Sequence, residues 1–308
     1  MIKTVYIGLL SIFFFSSCAH KHKGRLSFNI SEEGKVEGSV QSVSRPIVKE
    51  KSDHSSLMNK ALEIPRGGVF PTQVLERLSY TLSYNSETKN PNWVAWHLTR
   101  THTDGPYSRK GVPYYDEQGN VIGVGEVSSS ICRNGYFVDL EVPPPRQEHD
   151  DWRNNEYHMS HGHMCPAGDN KWAKTAMNQS FLLTNMCPQE EKLNNGEWKT
   201  LEEKCRTWAI KYGDIYIVAG PIYNSSTHRT IGENKIAVPD AFFKVVLCIN
   251  EEPKALGFIY PNDTEKHPIR QSVCSVDEVE RITGFDFFFN LPDEIEKEVE
   301  ENANLHDW

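Results

Sequence analysis

Side chains that can carry out chemistry are concentrated between His158 and Glu202. The first part of this stretch reads His-Met-Ser-His-Gly-His-Met-Cys-Pro-Ala-Gly-Asp-Asn, so that three histidines lie among glycine and proline residues. Asn185 and Asn194 follow, and each has turn-forming residues nearby. Imidazole, amide and carboxylate groups at this density, set between residues that favour turns, indicate a functional site rather than a segment that only packs.

His163 is the candidate general base of this stretch. Gly162 precedes it, and glycine lets the backbone turn sharply and expose the imidazole. An imidazole has an ordinary pKa of about 6.5, which suits proton transfer near neutral pH. The alternative is a surface histidine in a histidine-rich loop.

The histidines also offer a second kind of site, a zinc centre. His158, His161 and His163 would be its ligands, and Cys165 lies close enough in sequence to join them. Zinc takes about four ligands, and histidines this close together in a loop chelate poorly without further residues. The spacing therefore favours catalysis by His163 over zinc binding.

Asn194, Glu202 and Arg206 are related by helical spacing. Glu202 and Arg206 are four residues apart and can form an ion pair on one helix face. Asn194 lies about two helical turns earlier and can alternatively cap the helix. A neutral amide with a carboxylate suits a hard cation such as Mg²⁺, which keeps most of its waters. The alternative is a solvated ion pair worth less than about 1 kcal/mol.

The surrounding segments predict the elements that hold this stretch in place. Residues 80–84 and 93–98 are rich in β-branched and aromatic side chains and predict a hairpin. Apolar residues recur on one face from Glu197 to Tyr212, which predicts a helix that ends at Gly213. Further predictions are strands at 180–184, 215–222, 242–249 and 255–260, and helices at 276–283 and from 292. This order favours an α+β domain with a central, largely antiparallel β-sheet and flanking helices.

The N-terminus predicts export. Lys3 and the short apolar run at 5–15 are typical of a signal peptide, and the run is too short to span a bilayer. The residues before Cys18 resemble a bacterial lipoprotein signal, with cleavage near Ala19 as the alternative. We expect a periplasmic, outer-membrane-anchored or cell-surface protein that contacts the membrane through a lipid on Cys18. The expected order is a signal peptide at 1–18, a polar tether at 19–61 and a folded domain at 62–308.

Composition limits the partners that this chain can hold. The formal net charge of −9 argues against binding nucleic acid by bulk electrostatics, which usually leaves a basic surface. A polyanionic substrate would need local arginine, lysine or a metal cation. The chain has seven cysteines, and those other than Cys18 are even in number, which allows disulfides in an exported protein. Some of them can instead be buried thiols.

These segments together resemble the DNA/RNA non-specific endonuclease family, the ββα-metal or His-Me finger nucleases. The family's Asp-Arg-Gly-His motif is matched by the Ser-His-Gly-His of residues 160–163. Its other motifs are matched, in the family's order, by residues 164–169, 183–189, 193–198, 201–206, 215–221 and 275–288. The resemblance covers about residues 75–300. It implies a nuclease domain with a ββα-metal active-site motif.

The resemblance also implies roles for individual residues. His163 would be the general base, and Asn194 would be the one direct protein ligand of Mg²⁺ or Mn²⁺. Glu202 would hold water from the hydration shell of the metal, and Asn185 would support the site. Arg206 would contact the phosphate. The implied substrates are DNA and RNA, cut with low sequence specificity to leave 5′ phosphates.

One departure from the family motif lies beside the implied base. Ser160 and His161 replace the family's Asp-Arg pair. His161 would take over phosphate contact with a charge that depends on pH, so we expect an altered activity favoured at slightly acid pH. Two alternatives stand beside the nuclease. One is a nucleic-acid-binding protein of the same fold with impaired catalysis, and the other is a zinc-dependent hydrolase that uses His158, His161 and His163.

Overall fold

The computed structural model describes residues 61–308, apart from 69, 109–112, 116–120, 125–131, 134, 154 and 251. For 113–115, 121–124 and 132–133 only the backbone is described. The predicted signal peptide and nearly all of the predicted tether lie outside the described residues. The domain boundary at 62 therefore stays a prediction.

Strands dominate the described part of the chain. In chain order they are β1 (Arg66–Gly67), β2 (Gln73–Glu76), β3 (Thr81–Tyr84), β4 (Pro91–Thr99), β5 (Pro113–Tyr115), β6 (Val121–Val124), β7 (Cys132–Arg133), β8 (Tyr136–Phe137), β9 (Ser160–His163), β10 (Met186–Gln189), β11 (Asp214–Ile222), β12 (Thr230–Ile231), β13 (Ile236–Ala237), β14 (Ala241–Cys248), β15 (Lys254–Pro261), β16 (Val273–Cys274) and β17 (Phe285–Asp286). The helices are α1 (Lys174–Gln179), α2 (Glu191–Leu193), α3 (Lys199–Tyr212), α4 (Ile269–Ser272), α5 (Val276–Thr283) and α6 (Asp293–Glu300). A π-helical turn, Asn194–Trp198, joins α2 to α3.

One seven-stranded sheet forms the centre of the fold. Its strand order is β16-β15-β14-β11-β4-β3-β2, and each neighbouring pair is antiparallel. The middle strand, β11, is buried along its whole length because it is paired on both sides and covered on both faces. In its register Val218 pairs with Ala95 on one side and Val245 on the other. The predicted α+β class with an antiparallel sheet is confirmed.

The two faces of the sheet pack against different helices. Side chains alternate along β11, so Ile215 and Ile217 join one core cluster while Tyr216 and Val218 join the other. Helix α3 covers the first face with an apolar side that includes Leu201, Cys205, Trp208 and Ala209. Helices α5 and α6 cover the second face, to which they contribute Val276, Val279 and Val299. The sheet is therefore a rigid platform between two helical layers.

A small strand–strand–helix unit lies on the α3 side of this platform. Strand β9 pairs antiparallel with β10, and the chain then passes directly into α2, the π-helical turn and α3. Gly213 ends α3 with a φ of 99°, as predicted. This is the ββα arrangement that the family resemblance implies.

Two local predictions are wrong. Residues 180–184 do not form a strand; the chain there follows α1 with a 3₁₀ turn at Leu183–Asn185, and only Leu182 makes an isolated bridge, to Phe137. The helix begins at Glu191 rather than Glu197, and Asn194 lies inside the helical run instead of capping it. Gly196, with φ −103° and ψ −108°, produces the irregular turn that the sequence Asn-Asn-Gly suggested was a helix start. The predicted hairpin and the strands at β11, β14 and β15 are confirmed.

Two further properties concern the predicted export. The cysteines with described side chains, Cys165, Cys187, Cys205, Cys248 and Cys274, are free thiols. None of the helices in the described part of the chain has the length and apolar character that a bilayer-spanning segment requires. Cys18 lies outside the described residues, and so does the side chain of Cys132.

Candidate active site

The β9–β10 pair sets the direction of both site histidines. His163 pairs with Met186, and His161 pairs with Pro188, so the two histidines lie two residues apart on the same side of β9. Gly162 faces the other way, and a Cβ atom there would lie 2.4 Å from Oε1 of Gln189. The predicted reason for this glycine is therefore wrong. Gly162 lies within a regular strand, and its missing side chain allows β10 to pack closely against β9. It does not produce a sharp turn.

His163 is half-buried and held from several directions. Its ring meets Phe181 edge-on at 5.0 Å between centroids, and Tyr136 packs against it at 6.1 Å. The indole Nε1 of Trp198 donates a 3.1 Å hydrogen bond to the His163 carbonyl oxygen, which joins β9 to the helical segment. An imidazole with its backbone and ring fixed in this way could serve as a preorganised general base.

His161 lies between two aromatic rings. Tyr136 stacks on it at 4.1 Å and Trp152 at 3.9 Å, with interplanar angles of 15° and 16°. Both ring faces are therefore covered, so a phosphate could reach this imidazole only at its nitrogen-bearing edge. The position that holds arginine in the family motif thus carries a rigid histidine here.

Asn194 is tied to β9 through its amide nitrogen. Nδ2 donates to Ser160 Oγ at 3.0 Å and to the His161 carbonyl oxygen at 3.3 Å. Ser160 Oγ in turn donates to the carbonyl oxygen of Gln189. A carbonyl accepts only from the NH₂ side of an amide, so these contacts fix the orientation of Asn194 and direct Oδ1 away from β9. Among the described residues no donor reaches that oxygen.

Glu202 lies one helical turn beyond Trp198 on α3. Burial raises the pKa of its carboxyl to about 7; Lys244 and Arg206 lower it, whereas Asp169 raises it further. Lys244 lies on β14, almost wholly buried, with its ammonium 4.2 Å from the centroid of the Trp198 ring. A buried positive charge therefore lies beneath the helical turn that carries Trp198 and Glu202.

Arg206 forms an ion pair with Asp169 at 2.9 Å, not the predicted pair with Glu202. Asp169 also accepts a 3.1 Å hydrogen bond from the indole of Trp96. Burial raises the pKa of Asp169, and the positive charge of Arg206 opposes that change. One Arg206 nitrogen holds this contact, which leaves other N–H groups of a half-buried guanidinium for a ligand. Gly168 allows Arg206 to reach Asp169, since a Cβ atom at Gly168 would lie 2.7 Å from Nη1 of Arg206.

Asn185 supports the turn after His163. It is fully buried, and Oδ1 accepts from the Cys165 amide at 2.9 Å. Its Nδ2 donates to the carbonyl oxygens of Cys165 and Ser180, both at 2.8 Å. These three hydrogen bonds commit the Asn185 side chain to the backbone of the loop after His163.

The predicted zinc cluster does not form. His158 is exposed, His161 is enclosed by aromatic rings, and Cys165 is buried with a pKa that burial raises well above its usual range. Within the described ranges the only group of three or more histidine, cysteine, aspartate or glutamate side chains close enough to share an ion lies elsewhere, on α5 and α6. The zinc-dependent hydrolase is therefore not supported.

The residues present fit a hard cation at Asn194. The fixed amide presents an unpartnered oxygen, and oxygen is the ligand that Mg²⁺ prefers. Glu202, on the same helical segment, is a half-buried acid that no described residue hydrogen-bonds, and its carboxylate form would be favoured beside a cation.

Sequence reasoning missed Trp198, Lys244 and the role of Asp169. The apolar run Phe-Phe-Lys-Val-Val could have indicated the importance of Lys244, because a charge inside a buried strand needs a specific environment. Asp169 ends the histidine-rich motif, but its partner Arg206 is 37 residues away, so only the fold reveals the contact.

Comparison with known proteins identifies relatives of this chain. The family described as DNA/RNA non-specific endonuclease matches residues 60–294. The mitochondrial nuclease EXOG of Danio rerio is 30% identical over 68% of this chain and 59% of its own length, and that of Homo sapiens is 29% identical over 72% and 59%. The chain thus spans about 59% of the length of these relatives. The mitochondrial nuclease of Saccharomyces cerevisiae is 26% identical over 86% of this chain and 82% of its own.

A solved structure shares the fold. It is a crystal structure of the EndoG/EndoGI complex, described as showing the mechanism of EndoG inhibition. It matches with a TM-score of 0.61 and 24% identity over 74% of this chain and 89% of that chain. This likeness supports the ββα-metal architecture.

The predicted location is contradicted by the same comparisons. The relatives named above are mitochondrial nucleases, so the expected export and lipid anchoring at Cys18 are wrong on this evidence. The match over residues 60–294 includes the whole ββα unit with His163, Asn194, Glu202 and Arg206. By the extent of that match, the chain belongs to the DNA/RNA non-specific endonuclease family.

Proposed function

We propose that this protein is a Mg²⁺-dependent nuclease that hydrolyses phosphodiester bonds in DNA and RNA, with His163 as the general base. Mn²⁺ is the natural substitute for Mg²⁺ at an oxygen-ligand site. One observation carries the proposal. The Asn194 amide bonds to the strand that bears His163 and directs its oxygen away from that strand.

The chain's own residues account for the hydrolytic step. His163 takes a proton from a water molecule whose oxygen attacks phosphorus. The P–O3′ bond breaks, and the 3′ oxygen gains a proton from solvent, which leaves a 5′ phosphate. Arg206, held by Asp169 at 2.9 Å, offers its remaining N–H groups to the phosphate. The edge of His161 faces the same strand side as His163 and can add a further phosphate contact.

Glu202 would accept hydrogen bonds from water near Asn194. A bound Mg²⁺, held directly by Asn194, would stabilise the negative charge that develops on the phosphate and the leaving oxygen. Contacts of this kind are made to the backbone of the nucleic acid and carry no base information, so low sequence specificity follows. They also explain how a chain with a net charge of −9 can act on a polyanion, because positive charge is needed only at the scissile phosphate.

A second candidate rests on His161. The aromatic rings on both of its faces limit how it can replace the family's arginine, which favours a protein that binds nucleic acid with impaired catalysis.

The test compares cleavage of supercoiled plasmid and single-stranded RNA with Mg²⁺, with Mn²⁺ and with EDTA. We expect cleavage that EDTA abolishes. Asn194→Ala should raise the Mg²⁺ concentration needed for half-maximal rate by at least about tenfold. Asn195→Ala, at the exposed neighbouring position, should leave it unchanged. A folded wild type that binds both substrates but cleaves neither under either metal would establish the second candidate.

A further inference from the structure

Three carboxylates meet between α5 and α6, on the sheet face opposite α3. Asp277 and Glu280 lie on α5, and Glu300 ends α6. Each offers one oxygen, and these oxygens all lie within 4.8 Å of one another. Oxygens bound to one Ca²⁺ at about 2.3–2.6 Å lie at most about 5.2 Å apart, so this spacing is compatible with a shared ion.

Glu300 supplies a second, independent observation. Its side chain is almost wholly buried, at 6% exposure, and its Oε1 has no hydrogen-bond partner among the described residues. An unpaired carboxylate oxygen in this setting costs free energy unless a proton or a cation neutralises it. Glu280 differs, because one of its oxygens accepts a 2.7 Å hydrogen bond from the Phe287 amide.

Nearby cationic side chains are engaged elsewhere. Arg281 on α5 forms an ion pair with Glu278, and Lys297 on α6 lies 3.8 Å from Glu301. Arg66 on β1 pairs with Asp286. Burial and then the neighbouring carboxylates raise the pKa of Glu300 to about 9. In the described part of the chain none of the three carboxylates forms an ion pair with a cationic side chain.

We infer that Asp277, Glu280 and Glu300 bind one hard divalent cation, of the Ca²⁺ class, that fastens α6 to α5. Carboxylate oxygens suit Ca²⁺, and exposed Asp277 leaves room for water to complete the shell. The role is structural, since α5 and α6 cover the second face of the sheet while the candidate active site lies on the first. This site is independent of the proposed nuclease activity.

Calorimetric titration of the full chain with Ca²⁺ tests the inference. Wild type should bind one Ca²⁺ with a Kd of about 10⁻⁴–10⁻³ M, the range of simple extracellular sites. Glu300→Gln and Asp277→Asn should each weaken binding at least tenfold. Glu298→Gln makes the same charge change at an exposed position of α6 and should alter the Kd less than twofold.

Two further measurements distinguish this cation site from the candidate active site. Asn194→Ala should retain the Ca²⁺ affinity, and Glu300→Gln should retain Mg²⁺-dependent cleavage. Saturating Ca²⁺ should raise the midpoint temperature of thermal unfolding by a few degrees in wild type and in Asn194→Ala. It should not raise that of Glu300→Gln. Equal affinity in wild type and Glu300→Gln, or binding that disappears with Asn194→Ala, would overturn the inference.

Discussion

At the scale of single residues, the side chains of the candidate site fall into two sets. His163, Asn194 and Arg206 are the side chains that we propose meet a ligand, and contacts within the fold hold each of them. Asn185 and Asp169 are buried and bind protein atoms. The difference matters because substitutions in the second set should change stability first and activity second.

Asn185→Ala tests this distinction. The variant leaves the Cys165 amide and the carbonyl oxygens of Cys165 and Ser180 without their partner. Each buried group left unpaired costs about 1–3 kcal/mol, and partial relaxation should hold the total loss of unfolding free energy to about 2–4 kcal/mol. Urea unfolding measures this loss. An unchanged unfolding midpoint, like that expected for the exposed Asn195→Ala, would show that Asn185 does not brace the loop.

At the scale of elements, β9 is positioned by two different neighbours. Strand β10 lies along one edge, and the helical segment reaches it through Asn194 and Trp198. Gly162 is the point of closest approach, since Gln189 fills the space that a side chain would occupy. The position of His163 therefore depends on a contact that it does not make itself.

Gly162→Ala should move β9 away from β10 and displace the His163 ring. A misplacement of about 1 Å can lower the rate about 10²-fold, so we expect plasmid cleavage to fall by about 10–100-fold in a protein that remains folded. Gly162→Ala combined with Gln189→Gly restores the space and should recover part of the rate. Full activity in the single variant would mean that the close approach has no influence on the base.

Particular elements show what could be predicted from the sequence. The strands β11, β14 and β15 were predictable because long apolar, β-branched runs have few other folds available. The 180–184 segment is also apolar at its centre, but none of the described strands pairs along it beyond the single Phe137–Leu182 bridge. Local composition does not indicate whether a partner strand is present. The helix start was missed because Asn-Asn-Gly is typical of a cap, whereas here it forms a π-helical turn that presents Asn194 to β9.

The candidate site also contains residues that could be predicted from the sequence and contacts that could not. The family motif pointed to His163, Asn194, Glu202 and Arg206 by residue type and order. The partner of Arg206 was misjudged because helical spacing favoured Glu202, four residues away, while the fold brings Asp169 closer. Lys244 was missed because its role depends on the ring of Trp198, which approaches only when α3 packs on the sheet.

At the scale of the whole molecule, the last residues described close over the end of α3. Trp308 packs against Trp208 at 4.9 Å and Tyr212 at 5.8 Å between ring centroids. Lys211 Nζ donates to the Trp308 carbonyl oxygen, and Lys254 Nζ donates to that of Asp307. The helix that carries Glu202 and Arg206 is thus fastened at its far end by aromatic packing.

Trp308→Ala should loosen this closure without changing the chemistry. Trp308 is half-buried, so we expect a loss of about 1–3 kcal/mol in unfolding free energy, with cleavage rates preserved well below the transition. Ile210→Ala, at a half-exposed position of α3, is the control and should change stability by no more than about 0.5 kcal/mol. Equal urea midpoints for the two variants would contradict the packing role of Trp308.

His163 is the residue on which the proposed nuclease depends, as its general base. Single-turnover cleavage of plasmid and RNA, with Mg²⁺ at saturation, compares wild type with His163→Ala. His158→Asn is the control, since His158 is exposed with a φ of 53°, which asparagine tolerates. We predict that His163→Ala lowers both rates by about 10²–10⁴-fold while His158→Asn stays within about twofold of wild type. Equal rates for wild type and a folded His163→Ala would contradict the role of His163 as the base.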